Sequence, residues 1–451
     1  MTSTADPAMA FIEAACVPHD AWHATGTLDL AESLLAADPS VAPRDIHAAA
    51  VLGDDVTVRR LLALDPKQAT AKGGPYGWDA LTHLCFSRYL KLDRTRSDGF
   101  VRAAAALLEA GADPNTGWFE GDHEPNPVWE SALYGAAGVA HHAPLTRLLL
   151  ERGADPNDDE VPYHAPEGYD NDALKVLVES GKLTADSLAT MLWRKHDWHD
   201  HDGVEYLLAH GADPNRQLRW GVAALHHAIA RDNQLAIIAL LLDHGADPSR
   251  KQDGHSAVAL AARRGRGDLL DLFQRRGVTV PLTGVDALIA ACARNDAAAI
   301  TAIRQREPSL VGELQALGGT LLAEFAGDGN SAGVGHLLDL GVNAGAVFED
   351  GDGYWDVAPG STALHVAAWR MRHDTVKLLV ARGAPVEGRD GKGRTPLAMA
   401  VKACVDSYWM ERRTTESVAS LLAAGASAGN VAFPSGYSEV DDLLRNHGAT
   451  I

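Results

Sequence analysis

Apolar residues recur three and four positions apart in short runs along most of the chain, most regularly between Val204 and Ser249. Ala223 to Arg231 carries Leu225, Ala228 and Ile229 at helical spacing, and Leu235 to Asp243 repeats the pattern, which predicts two short amphipathic helices facing each other. Gly245 ends the second one, because glycine readily takes a positive φ after the last helical turn, and Pro248 lacks the N–H needed to continue. Asp247 between them can close the turn on neighbouring backbone N–H groups. The same glycine turn stands 34 residues earlier, at Gly211.

From the start of the chain, Phe11 to Ala37 reads as an atypical first pair whose second helix ends at Asp38-Pro39 without the glycine. Asp45 to Leu64 is a compact pair in which Asp54 can cap the second helix. Pro75 to Asn115 holds a pair with roughly nine extra residues between its helices, Leu90 to Asp98, relative to a period of about 33. Gly117 to Glu130 lengthens the other kind of connection into a long finger before Ser131. From Asp158 to Lys182 the pattern weakens to one clear helix, Ala173 to Ser180, behind a proline-rich, aromatic segment, and reads as a truncated unit. The next pair again has extra residues between its helices, among them His196, Asp197, Trp198, His199, Asp200, His201 and Asp202. Residues 250–277 and 285–308 are ordinary pairs, and Gly318 to Gly341 is another. Val347 to Gly360 builds a second long finger before a helix that Ser361 or Thr362 can cap, and Pro396 pre-sets φ at the start of a later one. Tyr437 to Ile451 is a last half-unit.

The GADPN turns at Gly111, Gly153 and Gly211, the GADPS turn at Gly245, and the TPLH-like helix starts at Thr362 to His365 and Thr395 to Ala398 resemble those of ankyrin repeats. The resemblance covers nearly the whole chain, in about eleven units of the ankyrin period. It implies an all-α solenoid of stacked helix pairs whose fingers and inner helices line one concave face, with two fingers lengthened. Residues 1–42 are then expected as an N-terminal capping unit, 43–436 as the array with irregular units at 75–220, and 437–451 as a C-terminal capping helix. His226 and His365 occupy the family's usual histidine position, where the side chain bonds within its own repeat and to the next, so they read as structural.

A solenoid also explains why 451 residues without a linker need no single globular core, since each unit buries its face only against its neighbours. Forty lysines and arginines against 60 aspartates and glutamates give a formal charge of −20, which repels phosphate backbones and anionic lipid; neither nucleic acid nor membrane is an expected partner. Cys16, Cys85, Cys292 and Cys404 lie far apart without paired spacing, as reduced, buried thiols of a cytoplasmic protein would. The opening residues lack the basic and apolar regions of a secretion leader, and no segment reaches the ~20 apolar residues that span a bilayer.

Three clusters carry candidate chemistry. The loop His196–Asp202 offers nitrogen and oxygen ligands for a divalent ion, but the alternative weighs more: Asp200 or Asp202 caps the outer helix and Trp198 fills the seam to the adjoining unit. No metal and no cofactor is therefore expected. The fingers bring together aromatics and carboxylates: Trp118, Phe119, Glu120, Asp122, His123, Trp129, Glu130 and Tyr134 in the first, Tyr354, Trp355 and Asp356 in the second. Trp78, Asp79, His83, Trp220 and His227 are expected on the same face. Rings supply contact area and carboxylates supply orientation, which suits a binding groove. Thirdly, Glu130 with Asp356, or Asp79 with His83, can serve as general acid and base if burial shifts their pKa values. No nucleophile elbow, phosphate loop or dinucleotide fingerprint accompanies them. The leading expectation is a non-enzymatic recognition protein that binds a protein or peptide along the groove; the alternative is a small-molecule pocket or an enzyme using these carboxylates and histidines.

Overall fold

The computed structural model describes residues 6–17, 26–121, 125–219 and 221–450, which fall into two compact units, Met1–Ala246 and Asp247–Ile451. Trp220, Asp122 and His123 lie outside the described residues. Each unit is a stack of short antiparallel helix pairs, and the strands described form three two-stranded antiparallel hairpins between pairs. The chain is thus all-α, with hairpin fingers.

Several helices start where side chains satisfy their first N–H groups. Asp45 accepts from the amides of His47 and Ala48, Asp54 from Thr57, Asp296 from Ala299 and Asn330 from Gly333. Pro396 occupies the first position of its helix behind Thr395, and Thr362 caps the Ala363–Trp369 helix in a box closed by His365. The pair Ala224–Ala230 and Leu235–Asp243 forms where the periodicity places it. Gly245 follows with φ +84°, and Ser249 donates its amide to Asp247 as the turn requires. Between pairs the core is leucine, isoleucine and alanine, as at Leu225, Ala228, Ile229, Ile238 and Leu241, all buried. Each such leucine contributes about 1.5–3 kcal/mol through burial.

Three stretches are built differently from their sequence pattern. The extra residues Leu90–Asp98 fold largely into helical turns, Arg88–Leu92 and Arg94–Arg96, that lead into the Ser97–Glu109 helix. Residues 158–182 contain a second helix, Glu160–His164, so the expected truncation is a shortened pair. The pair flanking His196–Asp202 is joined by a single 3-10 turn, His196–Trp198. All four cysteines are free and buried, and burial pushes every thiol pKa up, that of Cys404 to about 11. Among the described residues no helix is long and apolar enough to cross a membrane.

Candidate functional site

The first finger is a hairpin in which Gly117–Glu120 pairs with Val128–Ser131, Trp118 facing Glu130 and Phe119 facing Trp129. Alternation across strands puts Trp118 and Glu130 on one face and Phe119 and Trp129 on the other. On the second face the two rings meet edge-on, 4.7 Å apart, and Phe119 stays 62% exposed. On the first, Trp118 stacks on Trp78 at 5.1 Å, Trp78 on Tyr76 at 4.5 Å, and Phe86 joins Trp118 to the buried Tyr134. Tyr134 lies 5.2 Å from the ring of His164. Ser131 caps the helical turn Ala132–Tyr134, which continues as a π-helical stretch, Gly135–Val139. A Cβ at Gly138 would fall 2.8 Å from the Tyr134 ring and 2.9 Å from the Cβ of His164, so only glycine lets these two elements close up.

Asp79 and His83 do not form a carboxylate–imidazole pair. Asp79 caps its helix through the amide of Thr82, and also accepts from Lys72 at 2.9 Å and from the Thr82 and Thr116 hydroxyls. His83 donates through Nδ1 to the main-chain carbonyl of Asp79, and burial keeps it neutral, its pKa down at about 4. Both side chains belong to the interior.

The carboxyl group of Glu130 is different. It is 6% exposed and makes no hydrogen bond or ion pair among the described residues. Burial, then the charges of Glu160, Glu120 and Asp158, push its pKa up to about 8, only partly opposed by His164. Asp158, driven mainly by burial, rises to about 6 and keeps one buried oxygen without a partner. His164 is held between Glu160 at 3.0 Å and Glu167 at 2.9 Å; burial opposes its charge, but these two outweigh it and lift the pKa to about 9. The imidazolium therefore belongs to Glu160 and Glu167.

From Glu167 the polar chain continues to Arg194 at 2.8 Å and on to Asp197, which also meets Arg231 at 2.6 Å and Nε2 of His227 at 2.9 Å. Burial holds His227 neutral, so it offers Asp197 an N–H while the two arginines supply charge; together they outweigh the burial of Asp197 and hold its pKa near 2. His227 stacks on Trp193 at 3.9 Å. Within the loop His196–Asp202, His196 and Asp200 serve the structure: His196 is buried and neutral, Asp200 caps the His201–Ala209 helix through Gly203, and Asp200 neutralises the buried Lys195 at 2.8 Å. The carboxylates and imidazole that do gather there are His201, Asp202 and Glu205, on the largely exposed side of that helix.

In the second unit, Trp355 is 5% exposed, packed against Tyr354, Tyr408 and Trp409, with Arg370 5.1 Å from the centre of its ring. Its carbonyl accepts from Trp369 Nε1 at 2.6 Å. Asp356, at φ +54°, meets Lys392 at 2.6 Å, Arg394 at 3.1 Å and Lys402 at 3.8 Å. Burial opposes its charge, but Lys392 and Arg394 hold the pKa below the usual carboxylate range.

His365 completes the structural pattern, bonding the amide and hydroxyl of its own Thr362 through Nδ1 and lying 3.1 Å from the carbonyls of Gly388 and Arg394 through Nε2. The ankyrin-repeat family model matches residues 191–283 as three copies and residues 359–391 as one more. The chain carries ankyrin repeats in these two stretches. Across 84 residues, 19% of the chain, it is 38% identical to serine/threonine-protein kinase 12 of Arabidopsis thaliana, and it spans only 16% of that kinase. The human ASB11 ankyrin repeat domain is a structural neighbour at 19% identity, covering 58% of this chain and 98% of its own, with TM-score 0.28. The Bcl-3 ankyrin repeat domain covers 51% of this chain and 97% of its own at 19% identity, with TM-score 0.24. Asp158, Glu160, His164, Glu167 and Arg194 are polar residues that the sequence pattern passed over. The Glu160–His164–Glu167 spacing, four and then three residues on a helical segment, is the signal that marks them.

Proposed function

We propose that this ankyrin-repeat protein is a cytoplasmic, non-enzymatic recognition module that binds a protein or peptide along the fingers and inner helices of its repeats. Ankyrin repeats in general serve protein–protein interaction, which supports a protein partner. The observation that carries the reading is the first finger: Phe119 is 62% exposed beside the half-buried Trp129, an aromatic edge that a partner would cover. An acid–base enzyme draws less support, because Asp79 and His83 are each bound to their own helix and Asp356 is neutralised by three cations.

Selection of random displayed peptides on the full chain tests this. Enriched peptides should bind the wild type and lose at least tenfold affinity to Phe119→Ala or Trp129→Ala, a loss of about 1.4 kcal/mol or more, while both variants keep the wild-type melting temperature within a few degrees. Failure to enrich any peptide, or equal binding by wild type and variants, would contradict the reading.

A further inference from the structure

A carboxyl group removed from water is costly unless a cation accompanies it, and carboxyl groups buried in proteins are ordinarily paired. Asp79, Asp197, Asp200 and Asp356 follow the rule, each with a lysine or arginine within hydrogen-bond distance. Glu130 does not. It is 94% removed from solvent by its 6% exposure, yet no hydrogen bond or ion pair reaches it among the described residues. Among the described residues, the charges that act on it from its own hairpin and from the helix packed against it are carboxyls except for His164: Glu120 on the partner strand, Asp158 before the helix, Glu160 at its start. His164 is already held by Glu160 and Glu167. Neither Glu130 oxygen is among the sealed, partnerless atoms, whereas Asp158 Oδ2 is, so the Glu130 carboxyl keeps an opening to solvent. Directly across the hairpin stands Trp118, the end of the Tyr76–Trp78–Trp118 stack.

A carboxyl without its cation beside an aromatic face matches a guanidinium, which pairs with carboxylate and lies on rings at once. A divalent metal would instead need a fuller shell of oxygens. We propose that Glu130 and Trp118 form the seat for one arginine side chain of the partner, with Asp158 and Glu160 deepening its negative field. The proposal rests on the peptide-binding reading above and adds to it a contact on the face of the first finger opposite Phe119 and Trp129. The chain's net charge of −20 favours a basic partner in the same sense. Because Glu130 holds its proton up to a pH of about 8, the arriving guanidinium displaces that proton to solvent, and the seat strengthens as pH rises toward 8.

The test is calorimetric titration of the full chain with Nα-acetyl-arginine amide, in two buffers of different ionisation enthalpy. Saturable binding should release close to one proton per probe at pH 7, and affinity should rise about tenfold from pH 6 to pH 7. Nα-acetyl-citrulline amide, uncharged and of the same shape, should not bind. Glu130→Gln should abolish proton release and weaken binding at least tenfold; Glu160→Gln, which keeps the carboxyl but removes a neighbouring charge, should bind with reduced proton release. Binding that is unchanged in Glu130→Gln, or absent at pH 8, overturns the proposal. So does calcium alone eliciting the same proton release with greater affinity than the arginine probe. Selected peptides that lack arginine, with no response to the probe, would remove the seat and leave peptide recognition standing. A response to the probe with no peptide selected would do the reverse.

Discussion

The two long fingers are the same structural device with opposite electrostatics. Glu130 in the first is buried among carboxyl groups, with no cation bonded to it among the described residues, whereas Asp356 in the second is met by Lys392, Arg394 and Lys402 and remains 29% exposed. Their tryptophans differ as well. Trp355 is sealed beneath Trp409 and Arg370, while Trp118 and Trp129 are half-buried. The second finger is thus satisfied by its own repeats, and the first keeps an unmet requirement for charge. A lengthened finger with aromatics and acids is therefore not in itself a binding device; the missing counter-charge is what separates the two.

The largest expected effect breaks the satisfied finger. Trp355→Ala empties a packed aromatic cluster and should cost about 3–5 kcal/mol in urea unfolding. A loss below about 1 kcal/mol would mean that Trp355 is not part of the interior. Glu130→Gln comes next and has the opposite sign at high pH. A carboxyl whose folded-state pKa is raised from 4.5 to about 8 destabilises the fold progressively as pH rises between those values. Each pH unit in that window is worth at most about 1.4 kcal/mol, so the variant should match the wild type at pH 4 and exceed it by on the order of 3 kcal/mol at pH 8. Parallel stability curves for the two proteins would refute the missing counter-charge.

Smaller effects sharpen the comparison with paired carboxylates. Asp200→Ala should cost about 2 kcal/mol, the top of the range for a lost helix cap, since the buried Lys195 also loses its carboxylate. A chelator should leave that region's stability unchanged, and a chelator-dependent melting temperature would instead restore a metal reading at His201, Asp202 and Glu205. Asp356→Asn should cost about 1 kcal/mol or less at pH 7, because its cations are half in water. The pKa of Asp356 is depressed below 3.8, so its contribution is present above that value and vanishes as pH falls below it. Thermal melts at pH 7 and pH 2.5 check this.

The repeat was legible because the glycine turns and helix caps are local: Gly245, Asp54 and Pro396 act within a few residues of themselves. The fingers were legible for the same reason. What surrounds them was not. Trp355 is covered by Trp409 of the following repeat, and Asp356 is neutralised from Lys392, Arg394 and Lys402, which no spacing ties to position 356. Glu130 is surrounded from a helix, Glu160–His164, that is five residues long and contains Pro162, too short to show an apolar period, so that only the spacing of Glu160, His164 and Glu167 marks it. The pairing of Asp79 with His83 as acid and base failed because a helix-capping aspartate spends its carboxylate on backbone and hydroxyl donors.

The ionisation of Glu130 itself is the most direct test. With carbon-13 in the glutamate side chains and Glu130→Gln to assign its signal, the carboxyl resonance can be followed by NMR from pH 4 to pH 10. A carboxyl buried among other carboxyls without a cation should titrate near pH 8. A midpoint at or below 4.5 would show that Glu130 already has its counter-charge or lies in water, and the distinction between the two fingers would fall.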